Sequence, residues 1–108
     1  QVHIGDPLKD GVLMGPLIDR AAVEGYRAAI DEAKQEGGRV LYGGRVLEGP
    51  GFFVEPTIMT AKPEWPVMQR ETFAPILYVT TYRTLEEAIG MQNNVPQGLS
   101  SALFTNHL

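Results

Sequence analysis

Apolar residues recur at helical spacing over one long stretch, from Asp19 to Glu36. The residues that would share one face of an α-helix are Val23, Tyr26, Ile30 and Ala33. Asp19 is a suitable N-cap and the Gly37-Gly38 pair a suitable stop, so the pattern predicts a helix over 19–36. On the opposite face it predicts two charge pairs, each four residues apart: Arg20–Glu24 and Arg27–Asp31.

Shorter apolar runs, interrupted by glycine and proline, predict strands after this helix. They are Arg39–Tyr42, Arg45–Leu47 and Phe52–Met59. The last run contains Pro56, which places part of it at a sheet edge or a bulge. Before the helix, residues 1–16 have the spaced turn signals of an irregular loop with one short strand at most, and residues 61–66 have the composition of another turn.

The stretch Pro75–Tyr82 is apolar on both of its alternating sides. Ile76 and Tyr78 would point one way, and Leu77 and Val79 the other. Strands of this kind are usually buried on both faces, inside a sheet that helices cover. We therefore expect 75–82 to be a central strand.

The chain continues with a helix and a further strand. Thr84 and Glu87 have the spacing of a capping box, and the Asn93-Asn94 pair ends the helix that follows. Leu99–Thr105 again has strand character. Strand, helix and strand within about thirty residues predict a βαβ unit with parallel strands. The fold class is therefore α/β, a mostly parallel sheet with covering helices.

Composition narrows the classes of function. The 108 residues are 44% hydrophobic and 20% charged, which suits one small globular domain. A net charge of −4 without any Lys/Arg cluster argues against a nucleic-acid partner. No apolar run approaches the roughly 20 residues of a membrane span, so we expect no membrane partner. Cysteine is absent, which excludes a cysteine nucleophile and a thiolate metal site from this chain.

Two residues just before the predicted central strand are candidates for ligand contacts. The carboxylate of Glu71 could accept hydrogen bonds from both hydroxyls of a ribose, and the ring of Phe73 could pack on a heteroaromatic ring. The alternative is a surface glutamate and a core phenylalanine. The Gly37-Gly38 and Gly43-Gly44 pairs could cradle an anion, but a helix stop and a hairpin turn explain them better. We predict no metal site, because His3 and His107 lie at opposite ends of the chain without partners at ligand spacing.

Several motifs in register resemble the NAD(P)-dependent aldehyde dehydrogenase superfamily over essentially the whole chain. They are Gly5-Asp6-Pro7-Leu8, Gly15-Pro16, Gly43-Gly44, Gly51-Phe52-Phe53-Val54-Glu55-Pro56-Thr57, Glu71-Thr72-Phe73-Ala74-Pro75 and Gly98-Leu99-Ser100-Ser101-Ala102-Leu103-Phe104-Thr105. Thr72, Ala74 and Ser101 resemble the antiquitin branch in particular, the α-aminoadipic semialdehyde (piperideine-6-carboxylate) dehydrogenases of lysine catabolism.

The resemblance implies roles for three residues, all of them in cofactor binding. Glu71 matches the glutamate that accepts the nicotinamide-ribose hydroxyls, Phe73 the aromatic residue beside the nicotinamide ring, and Leu99 the leucine that packs near it. The catalytic cysteine, the general base and the oxyanion asparagine of the family would lie upstream, so no catalytic residue is expected in this chain. The implied cofactor is NAD and the implied substrate a small aldehyde.

These observations predict an internal piece of a longer protein, called the parent below. Residues 1–108 would be one part of a catalytic domain, truncated at both ends and inactive alone. The parent would oxidise α-aminoadipic semialdehyde in the cytoplasm as a homo-oligomer. Two alternatives stay open: another branch, acting on succinic semialdehyde, betaine aldehyde or aliphatic aldehydes, and a non-catalytic interaction module. The isolated chain is expected to be marginally stable or self-associating, because its sheet would have unpaired edges.

Overall fold

The computed structural model describes residues 2–106, and the prediction about His107 lies outside them, as do Gln1 and Leu108. Three helices and three strands follow one another along the chain. They are α1 (Arg20–Gln35), β1 (Val40–Tyr42), β2 (Thr57–Thr60), α2 (Pro66–Gln69), β3 (Ile76–Val79) and α3 (Leu85–Asn93).

The long helix α1 agrees with the predicted one. The Asp19 side chain accepts a hydrogen bond of 2.8 Å from the backbone N–H of Ala22, which makes it the N-cap. After the helix, Gly37 has a φ of 101°, a conformation that glycine adopts without strain. The buried face consists of Val23, Tyr26, Ala29, Ile30 and Ala33. The predicted pairs Arg20–Glu24 and Arg27–Asp31 are not formed in the described part of the chain, because their members point into solvent, where such pairs gain little.

The three strands form one sheet in the order β1-β2-β3. β2 and β3 are parallel, with Thr57 opposite Ile76, whereas β1 and β2 are antiparallel. The α/β class is confirmed, and the sheet is mixed rather than mostly parallel. The predicted strand 45–47 and the first part of the predicted strand 52–59 are reduced to a single bridge between Val46 and Val54, and the loop before α1 holds one bridge, Ile4 to Met14.

The prediction that the strand 75–82 is buried on both faces was wrong. β3 is only four residues long, and it is an edge strand whose burial alternates. Ile76 and Tyr78 pack against the core, while Leu77 is 61% and Val79 40% exposed. Both sides are apolar in sequence, but only one meets a covering layer within residues 2–106, namely the layer that contains α1.

A βαβ unit is present, one element earlier than predicted. The parallel strands β2 and β3 are connected through α2, which begins at Pro66, the last residue of the predicted turn 61–66, and for which no helix was predicted. The segment 99–105 forms no strand in the structure, and Leu103 and Phe104 are 73% and 94% exposed. A strand requires a neighbouring ladder and a face to cover, and this segment has neither among the described residues.

The start of α3 follows the predicted capping box in part. Thr84 Oγ1 accepts a hydrogen bond of 3.2 Å from the N–H of Glu87, as expected. The Glu87 carboxylate, however, accepts from the N–H of Arg83 at 2.8 Å instead of that of Thr84. No side chain of this helix is buried, so α3 is held by local bonds more than by packing.

The core lies between α1 and the sheet. It joins the buried face of α1 to side chains from the bridge before β2, from β2, from the segment between β2 and α2, and from α2: Val54, Met59, Ala61, Trp65 and Val67. No helix among the described residues has the length and apolar character needed to cross a membrane.

Candidate cofactor loop and family

Two of the predicted site residues lie together on one loop. This segment, called the cofactor loop here, is residues 70–75, between the end of α2 and the start of β3. Glu71 is exposed and the Phe73 ring is 83% exposed, so the prediction of a ligand contact suits Phe73 better than the alternative of a core residue. The loop lies at the amino ends of β2 and β3, whereas ligands of open α/β sheets usually lie at the carboxyl ends. Sheet topology alone would not have indicated this loop.

The third predicted residue is not brought to the loop. Leu99 follows α3 and is fully exposed, so its side chain packs against neither Glu71 nor Phe73. It lines a shallow groove of ≈ 410 Å³ with Gly98 and Ser100.

The carboxylate of Glu71 is free to bind a ligand. Within residues 2–106 it accepts no hydrogen bond and forms no ion pair, and it lies in solvent. Two unoccupied carboxylate oxygens can accept hydrogen bonds from two neighbouring hydroxyls. The adjacent exposed ring of Phe73 offers a flat apolar surface. These two side chains therefore have the chemistry that a nicotinamide ribose and ring require.

The second half of the cofactor loop is anchored by its backbone. The N–H of Ala74 donates to the carbonyl of Thr72 at 2.8 Å, and the N–H of Ile76 donates to that of Ala74, also at 2.8 Å. Each bond spans two residues, as in a γ-turn. The carbonyl of Pro75 accepts a bond of 2.8 Å from the N–H of Thr57, a buried residue of β2.

The first half of the loop is anchored by an ion pair that the sequence did not indicate. Arg70, directly before Glu71, donates from both terminal nitrogens to the two carboxylate oxygens of Glu32 on α1, with Nη1 to Oε1 at 3.1 Å. The residues are 38 positions apart, so no local spacing could reveal the pair. The bond to Glu32 raises the pKa of the Arg70 guanidinium further above its already high value.

The hydroxyl of Tyr78, on β3, lies within the field of this ion pair. It is buried and has no hydrogen-bond partner among the described residues. Burial raises the pKa of Tyr78, an effect that the charge of Arg70 opposes and that of Glu32 reinforces.

A second ion pair stabilises the backbone just before β2. Arg45 donates from Nε to Glu55 Oε2 at 3.0 Å and from Nη2 to Oε1 at 2.7 Å. The hydrogen bonds from Arg45 hold the pKa of the Glu55 carboxyl below its usual value. No group of three or more His, Cys, Asp or Glu side chains that could hold a metal occurs in the described part of the chain.

Comparison with known families decides the ancestry of this fold. The sequence profile described as "Aldehyde dehydrogenase family" matches residues 1–108. The chain belongs to the aldehyde dehydrogenase family. The resemblance inferred from the motifs is thereby confirmed.

Two curated relatives of this aldehyde dehydrogenase segment come from a plant and a mammal. It is 50% identical over 105 residues to "Aldehyde dehydrogenase family 7 member A1" of Pisum sativum, covering 97% of this chain and 21% of the relative. It is 47% identical over 109 residues to "Alpha-aminoadipic semialdehyde dehydrogenase" of Rattus norvegicus, covering 100% and 20%. The chain therefore spans about a fifth of the length of these relatives.

A solved aldehyde dehydrogenase has the same fold as this chain. Betaine aldehyde dehydrogenase from Staphylococcus aureus, solved in complex with NAD+, superimposes with a TM-score of 0.91 at 29% identity. The match covers 98% of this chain and 22% of the other.

Proposed function

We propose that the parent is an NAD-dependent aldehyde dehydrogenase that oxidises α-aminoadipic semialdehyde to the carboxylate, a reaction of lysine catabolism. The observation that supports this most is the 47% identity, over the full chain, to a relative named for that activity. The segment described here would contribute part of the wall of the nicotinamide site. It has no cysteine, so the nucleophile of the reaction must come from another part of the parent.

Glu71 and Phe73 are the residues of this segment that would hold the cofactor. The free carboxylate of Glu71 accepts the ribose hydroxyls, and the exposed ring of Phe73 packs beside the nicotinamide. NAD, when bound, supplies the acceptor for the hydride that leaves the aldehyde carbon. The contribution of this segment is orientation, since a ring held in the reactive pose transfers hydride faster than a ring that samples others.

Leu99 would complete this wall by packing near the ring. Because the structure leaves it fully exposed and away from the cofactor loop, this role depends on how the rest of the parent covers residues 97–101. The homo-oligomeric state and the cytoplasmic location stay predictions.

The substrate is tested by steady-state reduction of NAD by the full-length parent. α-Aminoadipic semialdehyde is compared with an unsubstituted aliphatic aldehyde of similar length. We expect a strong preference for the amino-acid semialdehyde in kcat/KM. Comparable turnover of both would support aldehyde dehydrogenase activity but reject α-aminoadipic semialdehyde as the preferred substrate. No turnover of either, by a parent that carries its cysteine, would reject the proposed dehydrogenase activity. The same assay with NADP in place of NAD tests the choice of cofactor.

The site is tested by Glu71→Gln in the full-length parent, with Glu48→Gln as the control. Glu48 is an exposed loop residue that has no charged partner among residues 2–106. Glu71→Gln should lower the rate of hydride transfer by more than it weakens NAD binding, because the ring is less constrained but still bound. Hydride transfer equal to that of the control would reject the role of Glu71.

A second candidate is a betaine aldehyde dehydrogenase. The match to the Staphylococcus aureus structure covers nearly the whole chain, but at 29% identity compared with 47% for the rat relative. Betaine aldehyde should therefore be included in the substrate assay. A preference for it over the amino-acid semialdehyde would favour this branch.

A further inference from the structure

We propose that the Glu32–Arg70 ion pair positions Glu71, so that both members are positioning residues for hydride transfer although neither contacts the cofactor. The inference rests on the proposed function of the cofactor loop. It concerns what holds that loop in place.

The argument begins with chain connectivity. Arg70 is the first residue after α2 and Glu71 is the next, so the direction of the Glu71 backbone follows that of Arg70. Arg70 itself has extended dihedral angles, with φ −122° and ψ 152°, so the chain leaves the helical conformation at this residue and its new direction needs further support. Its side chain supplies that support through two parallel hydrogen bonds to Glu32. A bidentate guanidinium–carboxylate pair restricts orientation as well as distance.

The partner of Arg70 is a rigid one. Glu32 lies on α1 between Ile30 and Ala33, which are 3% and 0% exposed. A helix anchored on both sides of a residue cannot shift that residue without disturbing the core. The backbone of Glu32 is thus a fixed point, 38 residues away in sequence, to which the start of the cofactor loop is attached through the ion pair.

The loop is then held at both ends, with the proposed ligand contacts between them. The far end is anchored by the bond of 2.8 Å from the N–H of Thr57 to the carbonyl of Pro75. The near end depends on the ion pair, because the backbone of Glu71 forms no hydrogen bond of its own among the described residues. Removing the ion pair should therefore release Glu71 while leaving Pro75 in place.

A role in stability alone explains the pair less well. The side chains of Arg70 and Glu32 are 49% and 29% exposed, and pairs this accessible contribute little to folding. The effect of the pair on the orientation of Glu71 can be larger than its effect on folding, since a displacement of about 1 Å at a reacting centre can change a rate up to a hundredfold.

The test uses the full-length parent and begins with Glu32→Gln. The matched control is Asp31→Asn, which removes the neighbouring carboxylate of the same helix, one that has no ion-pair or hydrogen-bond partner among residues 2–106. The first readout needs no cofactor. Amide hydrogen exchange of the peptide 70–76 should increase in Glu32→Gln and remain at the wild-type level in Asp31→Asn, and the peptide 20–35 should be unchanged in both.

The second readout is kinetic. Glu32→Gln should slow hydride transfer by about three- to tenfold with little change in the Kd for NAD. Arg70→Lys should have a smaller effect, because the ammonium group keeps the charge that pairs with Glu32 and loses only the bidentate geometry. In a parent that already carries Glu71→Gln, adding Glu32→Gln should slow the reaction no further, since Glu32 acts through Glu71. A merely structural role would give additive losses.

The outcomes separate the two proposals. If Glu71→Gln slows hydride transfer but Glu32→Gln behaves like Asp31→Asn in exchange and in rate, the positioning role is wrong and the proposed function stands. Additive losses in the double variant also reject the positioning role. If Glu71→Gln itself has the kinetics of wild type, the proposed cofactor site is wrong, and the positioning role fails with it.

Discussion

The hydroxyl oxygens of Tyr26 on α1 and Thr57 on β2 are 2.7 Å apart, in a buried hydrogen bond between residues 31 positions apart in sequence. Tyr26 Oη also lies 2.9 Å from the carbonyl oxygen of Glu55, and the N–H of Gly44 donates to Thr57 Oγ1 at 2.9 Å. The backbone N–H of Thr57 also donates a hydrogen bond to the carbonyl of Pro75, at the end of the cofactor loop. One threonine thus connects the helix, the glycine turn and the candidate site.

Two tyrosines allow a direct test of this bond. Tyr26→Phe removes a satisfied hydroxyl, and we expect a loss of about 1 kcal/mol in the free energy of opening of α1. Tyr78→Phe removes a hydroxyl that is buried without a partner in the described structure, so it should cause no loss and stabilise by up to about 1 kcal/mol. Hydrogen exchange of the peptides 20–35 and 76–79 in the full-length parent measures both. Equal effects of the two variants would contradict the assignment.

Glycine at position 43 is required by a close approach of backbones. Its φ is 72°, and a Cβ built there would lie 2.1 Å from the carbonyl oxygen of Pro56. Gly43→Ala should therefore destabilise by about 3 kcal/mol. Gly25, in the middle of α1, has open space around it, so Gly25→Ala should stabilise by roughly 0.5–1 kcal/mol. Thermal midpoints of the full-length variants at one scan rate test the pair, and a harmless Gly43→Ala would refute the close approach.

The Arg45–Glu55 pair predicts a dependence of stability on pH. The pKa of Glu55 is lower in the folded chain than its unfolded value of about 4.3, so folding is favoured by the pair above that value. The contribution is lost as the pH falls through the lower, folded pKa. In thermal melts, the difference between wild type and Glu55→Gln should thus shrink with acidification. A pH-independent difference would indicate that packing, not charge, is responsible.

The isolated 108-residue chain should self-associate through β3. β3 pairs with β2 on one side, and its other side pairs with no strand among the described residues. Leu77, a residue of β3, is 61% exposed. Such edges pair readily with other chains. Sedimentation velocity should show oligomers that decrease in Leu77→Lys but persist in Leu8→Lys, a control at an apolar residue that is 92% exposed outside the sheet. A strictly monomeric chain with a sharp cooperative melt would contradict this.

How much of the structure could be predicted depended on the range of the interactions involved. The helix α1 and the caps at Asp19 and Thr84 were predicted correctly, because each depends on residues within a few positions of one another. The burial of β3 on both faces was predicted wrongly. A run that is apolar on both sides shows that a strand could be buried on both faces, but it does not show whether another element covers each face. The helix α2 was missed, since four residues are too few for a periodic pattern.

The candidate site divides in the same way. Glu71 and Phe73 could be found from a motif of adjacent residues, and both are exposed on one loop, while their role in cofactor binding stays a prediction. The pairing of Arg70 with Glu32 could not, because it joins two charges whose proximity exists only after α1 and α2 have packed.

The sequence alone therefore determined the family, the α/β class, the main helix and the pair of residues proposed to contact the cofactor. These follow from local spacing and from motifs that can be recognised without knowledge of the fold. Only the tertiary structure decided which face of β3 is covered, where the βαβ unit lies and which side chains hold the cofactor loop. Those properties are contacts between residues distant in the chain, and they depend on how its elements pack.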